Sequence, residues 1–213
     1  MKFVKKTVMS VVLAASACGL ALAAPFQNGS FEIGPANPGS FITLNGGDTS
    51  ITGWTVTGNS IDYINNYWQP ADGARSLDLS GDAAGGIQQA FDTVAGHSYR
   101  VSFAMAGNGG GGNTIKSMQV QATGGALTTY TFDTTGHSYA SMGWATQTYA
   151  FIATGASSTL SFTSLENNAA GPALDNVVVA DVTPVPTPAL SLWALIGLAS
   201  LLGVFATRRA RFG

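Results

Sequence analysis

With 213 residues, a formal net charge of −2, charged side chains at 9% and one cysteine, the chain is short, weakly charged and almost free of thiols. Its charge is also unevenly placed: residues 24–183 keep only Arg75, Arg100 and Lys116 against all eleven acids, a net charge of −8. An acidic body argues against nucleic acid and anionic membrane surfaces as partners, and the cysteine count argues against a disulfide framework.

The N-terminus, residues 1–23, reads as a secretory signal peptide. Lys2, Lys5 and Lys6 form a basic region, Val8–Leu22 an apolar one, and Ala21-Leu22-Ala23 a small-residue site for signal peptidase. Ala15-Ser16-Ala17 before Cys18 resembles a lipoprotein box without its leucine, so Cys18 is expected to leave with the peptide.

The body, residues 24–183, is the size of one domain with a sizeable core. Its runs alternate polar and apolar with period two, separated by Gly, Asn, Asp and Ser clusters. In chain order the predicted strands are Gly29–Ile33, Thr52–Thr57, Ser60–Ile64, Arg75–Ser80, Gly86–Phe91 and Ser98–Ala106. Lys116–Ala122, Leu127–Phe132, Thr146–Ile152, Ser158–Ser164 and Leu174–Ala180 follow. Leu77 and Leu79 are predicted inward, with Ser76, Asp78 and Ser80 outward; Tyr99, Val101, Phe103 and Met105 are likewise inward. Threonine, valine and aromatics suit a pleated, half-buried surface. The pattern predicts an all-β, two-sheet antiparallel sandwich. The glycine-rich Gly107–Asn113 lacks the lysine and helix of a phosphate loop and is expected to be a surface loop.

Beyond the body, the alternating prolines of residues 184–188 make a stiff linker. Residues 189–206 carry no charge over 18 positions, the minimum for a transmembrane helix. Arg208, Arg209 and Arg211, in the basic tail of residues 207–213, form a stop-transfer signal that stays cytoplasmic and leaves the body outside.

The series Asn28-Gly29-Ser30-Phe31-Glu32, Gly53-Trp54, Ile61-Asp62-Tyr63-Ile64, Trp68, Ser76–Gly81, Gly85-Gly86-Ile87, Tyr99–Phe103 and Gly171–Val177 runs through nearly the whole body. In that order it resembles the bacterial choice-of-anchor C family, which is similar to plant cell-wall proteins of a domain-of-unknown-function group. The resemblance implies a galactose-binding-like jelly roll. Pro186, Thr187, Leu190, Ser191 and Trp193 resemble a sorting signal of the Ile-Pro-Thr-Leu or Pro-Glu-Pro class. Such signals imply an exosortase-type transpeptidase as partner and a transient anchor. The expected route is export across the inner membrane of a Gram-negative bacterium, then release to the cell surface or extracellular matrix.

No enzyme is expected. His97 and His137 each lie in Gly-His-Ser-Tyr turns, no nucleophile elbow is present, and most acids sit in turn contexts. The resemblance implies one structural calcium where the first and last strands meet, with Glu32 and Asp175 as ligands; the alternative is that both are ordinary surface or turn acids. For a carbohydrate ligand the candidates are Tyr63, Tyr67 and Trp68, in a run that also offers Asn65, Asn66 and Gln69. Aromatic faces stack on sugars and amides bond their hydroxyls, although Trp54 and Trp68 equally suit a core. Three functions follow: a surface-displayed carbohydrate-binding module, a structural biofilm or matrix protein without a small-molecule ligand, and, as runner-up, a hydrolase accessory.

Overall fold

A computed structural model describes residues 24–36 and 39–184. Eleven strands form within them: β1 (Phe41–Asn45), β2 (Thr55–Gly58), β3 (Ser60–Ile64), β4 (Ser76–Asp78), β5 (Gly85–Asp92), β6 (Ser98–Gly107), β7 (Ile115–Ala122), β8 (Thr128–Asp133), β9 (Ala145–Ile152), β10 (Ser157–Ser164) and β11 (Pro172–Asp181). One sheet has the order β1-β3-β4-β11-β6-β9 and the other β2-β5-β10-β7-β8. The pairings are antiparallel throughout. The chain is thus the two-sheet jelly-roll sandwich that its period-two pattern predicts.

Alternation explains the core. Along β6, Tyr99, Val101, Phe103 and Met105 are buried while Arg100 is exposed. Along β10, Ser158, Leu160, Phe162 and Ser164 turn inward. The two sheets meet where Phe103 of β6 packs edge-on against Phe162 of β10, with ring centroids 5.2 Å apart. Trp54, as expected of a core residue, closes one side, 2% exposed, with its indole N–H donated to the Asn28 carbonyl.

Three sequence expectations are corrected. Gly29–Ile33 is not a strand, because Asn28 (φ 53°) and Phe31 (φ 59°) turn the chain. An aromatic residue rarely adopts that conformation; here burial of the Phe31 side chain and the Tyr63 hydroxyl donated to the Phe31 carbonyl hold it. β1 escaped prediction. And Ser76, Asp78 and Ser80, expected outward, are fully buried, because loops distant in sequence cover the outer face of β4.

The signal peptide, the sorting motif, the apolar segment 189–206 and the basic tail lie outside the described residues. Among the described residues, no helix is long and apolar enough to cross a membrane.

Candidate functional site

Four connections come together around β4: residues 65–75 after β3, 108–114 after β6, 134–144 after β8 and 165–171 after β10. Backbone and side-chain bonds tie them to one another. The Gln69 N–H is donated to the Tyr139 carbonyl and the Asn108 N–H to the Gly171 carbonyl. The Trp144 indole N–H is donated to the Gln69 carbonyl. The turns at Gly73, Gly112, Gly136 and Gly143 all use positive φ, so these loops change direction within single residues.

At their meeting point stand two tyrosines. Tyr67 and Tyr139 pack with ring centroids 4.7 Å apart, and their hydroxyls are 3.2 Å apart. Three hollows open around them. The largest, about 650 Å³, lies between the 65–74 segment and Tyr139, with Asn65, Asn66, Tyr67 and Gln69 on its wall. A second of about 230 Å³ lies on the other side of Tyr67, bounded by Asn108, Gly110–Gly112 and Asn168. The third, about 300 Å³, is reached past Tyr139 and contains Thr134, His137 and Ser138. Ligand pockets generally combine apolar or aromatic walls with a few polar groups in clefts of about 300–1,000 Å³, a range that the largest and third hollows fall in.

A buried polar network supports the pair from below. The Tyr139 hydroxyl donates to Asn108 Oδ1 (3.0 Å), and Asn108 Nδ2 donates to Asp78 Oδ2 (2.8 Å). Asp78 Oδ1 accepts the N–H groups of Ser80 and Gly171. Burial pushes the Asp78 carboxyl up to about 7, against the downward pull of its three donors. Burial, followed by the bond to Tyr67, pushes the Tyr139 phenol up to about 12, so it stays neutral. Lys116 is wholly buried and donates from Nζ to the Gly111 carbonyl (2.6 Å) and the Ala170 carbonyl (2.7 Å). Burial lowers its ammonium pKa, while the charges of Glu166 and Asp78 oppose that shift. One cation thereby clamps two of the loops that line the second hollow.

The structure sorts the three aromatic candidates. Tyr67 is half-buried on the groove. Trp68 is 4% exposed, with its indole N–H donated to Ser76 Oγ, and chiefly supports Tyr67 from the core. Tyr63 is a correction: it is 1% exposed, its hydroxyl is bound to the Phe31 carbonyl and the Arg75 guanidinium covers its ring, so no face is open to a ligand. Sequence reasoning missed Tyr139, Asn108 and Asn168. The usable signal was an aromatic in a polar loop, Gly136–Met142, where it continues no strand alternation.

Glu32 and Asp175 do converge, but on a loop. Glu32 Oε1 accepts the N–H groups of Ala74 and Arg75, and Asp175 Oδ2 those of Ala71 and Asp72. Asp175 Oδ1 accepts the Asn176 N–H. Burial pushes the Asp175 carboxyl up to about 7. Calcium needs six to eight oxygens aimed at one point. Here Glu32 Oε1 and both Asp175 oxygens face amide hydrogens, and among the described residues no group of three or more His, Cys, Asp or Glu side chains is placed together. In this arrangement the two acids form a clamp on the 71–75 turn.

A separate concavity of about 530 Å³ between residues 25–29 and β11 offers less chemistry. Its Asn28 amide already donates to the Ile33 and Thr52 carbonyls.

A family model described as protein of unknown function (DUF642) matches residues 24–180. Over 170 residues, 76% of its length, the chain is 32% identical to halomucin of Haloquadratum walsbyi, and it spans 2% of that protein. Among solved structures it is similar to TmCBM61 in complex with β-1,4-galactotriose, at 17% identity and a TM-score of 0.43 over 74% of this chain and 98% of that one. It is also similar to CBM35 from Paenibacillus barcinonensis, at 19% identity and a TM-score of 0.45 over 65% of this chain and 98% of that one.

Proposed function

The chain belongs to the DUF642 family, and we propose that it is an exported β-sandwich whose loop-built groove binds carbohydrate. One observation carries the reading: the hydrogen-bonded Tyr67–Tyr139 pair stands between hollows walled by Asn65, Asn66, Gln69, Asn108 and Asn168. Tyrosine rings offer apolar faces to the C–H faces of a pyranose, and side-chain amides donate and accept at once, as vicinal hydroxyls require. The Asp78–Asn108–Tyr139 chain holds one ring in place before a ligand arrives, which lowers the entropy cost of binding.

Glycan-array binding and titration calorimetry with the full chain test this. Tyr67→Ala and Tyr139→Ala are expected to weaken binding about tenfold or more, with the melting transition retained. A full chain that binds no glycan, or folded variants that bind as well as the parent, would defeat the reading and leave a structural matrix role.

Delivery is part of the proposal. The basic, apolar and small-residue pattern of residues 1–23 supports export, and Pro186, Thr187 and Trp193 before the apolar segment support sorting by an exosortase-type transpeptidase. Mass spectrometry of the mature C-terminus from the native host is expected to find an end near Pro186–Ser191. An intact Gly213 would refute sorting.

A further inference from the structure

Resting on the carbohydrate reading above, we propose that the groove selects uncharged glycans and rejects those bearing uronate, sulfate or phosphate groups. The observation behind it is where the positive charges are. Among the described residues the lysines and arginines are Arg75, Arg100 and Lys116, and none of them lines the three hollows.

Lys116 lies beneath the second hollow, but its side chain is wholly buried and Nζ points at the Gly111 and Ala170 carbonyls. Arg75 lies over the Tyr63 ring, 5.4 Å from guanidinium carbon to centroid; its Nη1 is buried without a hydrogen-bond partner, and the residue contributes to no wall of the three hollows. Arg100 is seven residues down β6 from Gly107, about 23 Å at the usual strand rise. Its neighbours across the sheet are Ala150 and Ala180.

What faces the hollows instead is amide, hydroxyl and aromatic surface. Tyr139 stays a neutral phenol, held by Asn108 Oδ1, which accepts its proton. Asp78 and Glu166 are buried, and the body around the site carries eleven acids against three bases. A glycan carboxylate or sulfate entering the groove would lose water and meet no guanidinium or ammonium, a cost that hydroxyl contacts do not offset. At longer range the net negative field lowers the encounter rate of any polyanion. A neutral sugar meets neither penalty. His137 is the one basic side chain on the wall of the third hollow.

The test is a binding panel run with the full chain. It sets uncharged polysaccharides (galactan, glucan, mannan, xylan) against acidic ones (alginate, polygalacturonate, dextran sulfate). Retention by at least one uncharged polymer and by no acidic one is expected, with affinity constant to within about twofold between low and high salt, since no charge pair is there to screen. Asn66→Lys, an exposed change on the wall of the largest hollow, is expected to raise acidic-polymer binding about threefold or more at low salt. Tighter binding to an acidic polymer by the parent chain, fading as salt rises, would overturn the selection and keep the carbohydrate reading. An Asn66→Lys variant that folds and gains nothing would show that charge is not what excludes polyanions. Binding to nothing in either set would remove the carbohydrate reading and this inference together.

Discussion

At the scale of single residues, Asp78 is the group on which the site's polar support converges. It is fully buried, accepts from Asn108, Ser80 and Gly171, and carries a carboxyl raised to about 7 from an ordinary 3.8. The folded chain therefore holds this proton more tightly than the unfolded chain does. The associated stabilisation is complete below about pH 4 and is lost as pH rises through about 7. The expected outcome is a melting temperature that falls across that window and levels off above it. Asp78→Asn places an N–H donor opposite Asn108 Nδ2, and is expected to cost about 1–3 kcal/mol through the unmatched donor. It should also make the fall shallower, the remainder belonging to Asp175, which burial raises to about 7 as well, as melting curves from pH 4 to 8 would reveal. A variant whose pH profile keeps the parent's slope would assign the titration to another group.

At the scale of elements, loops cover the polar face of a short strand, and one lysine holds two of them. Lys116 is on β7 and its neighbours on that strand, Met118 and Val120, are core residues. Its long apolar stem reaches past Gly107, whose added Cβ would lie 2.7 Å from Lys116 Cγ. Its charged end then satisfies the carbonyls of Gly111 and Ala170. Replacement by Met keeps the stem and removes both charge-assisted bonds together with the desolvated charge, two effects that oppose each other in global stability. Lys116→Met is therefore expected to shift the melting temperature by no more than a few degrees while amide exchange at 109–112 and 168–171 accelerates about tenfold or more. Unchanged exchange in those segments would show that the loops hold themselves. The turn at 71–75 is anchored differently, by Glu32 and Asp175 through backbone amides. The N-terminal segment is tied to β11, because the Val177 N–H is donated to the Gly29 carbonyl, and an added Cβ at Gly29 would lie 1.8 Å from the Val177 carbonyl oxygen.

For the molecule as a whole, stability without disulfides rests on the shared core of two sheets and on this set of polar clamps. The clamp geometry bears on calcium. Since Glu32 Oε1 and both Asp175 oxygens already accept amide hydrogens, equal melting temperatures with calcium and with chelator are the expected result. A higher temperature with calcium would return an ion to this corner, because a ligand of the native state must stabilise it. The −8 charge of residues 24–183 gives the long-range negative field that disfavours polyanions at the groove.

Alternation along the strands made the sandwich legible in the sequence alone, because a period-two pattern is local and each strand carries its own copy. Ten of the eleven strands, from β2 through β11, coincide with predicted runs, and the inward residues of β6 are those read from its alternation. Aromatic and amide chemistry in the run from Tyr63 to Gln69 was legible too, but the choice among its rings was not. Only the tertiary structure decided that Tyr63 and Trp68 face inward while Tyr67 meets Tyr139, a residue 72 positions away. The same holds for Asp78: its place in an alternating run points outward, and burial comes from loops 30 and 93 positions along the chain. Local sequence determines which face of a strand a side chain takes; what covers that face is determined by segments that approach only when the chain is folded.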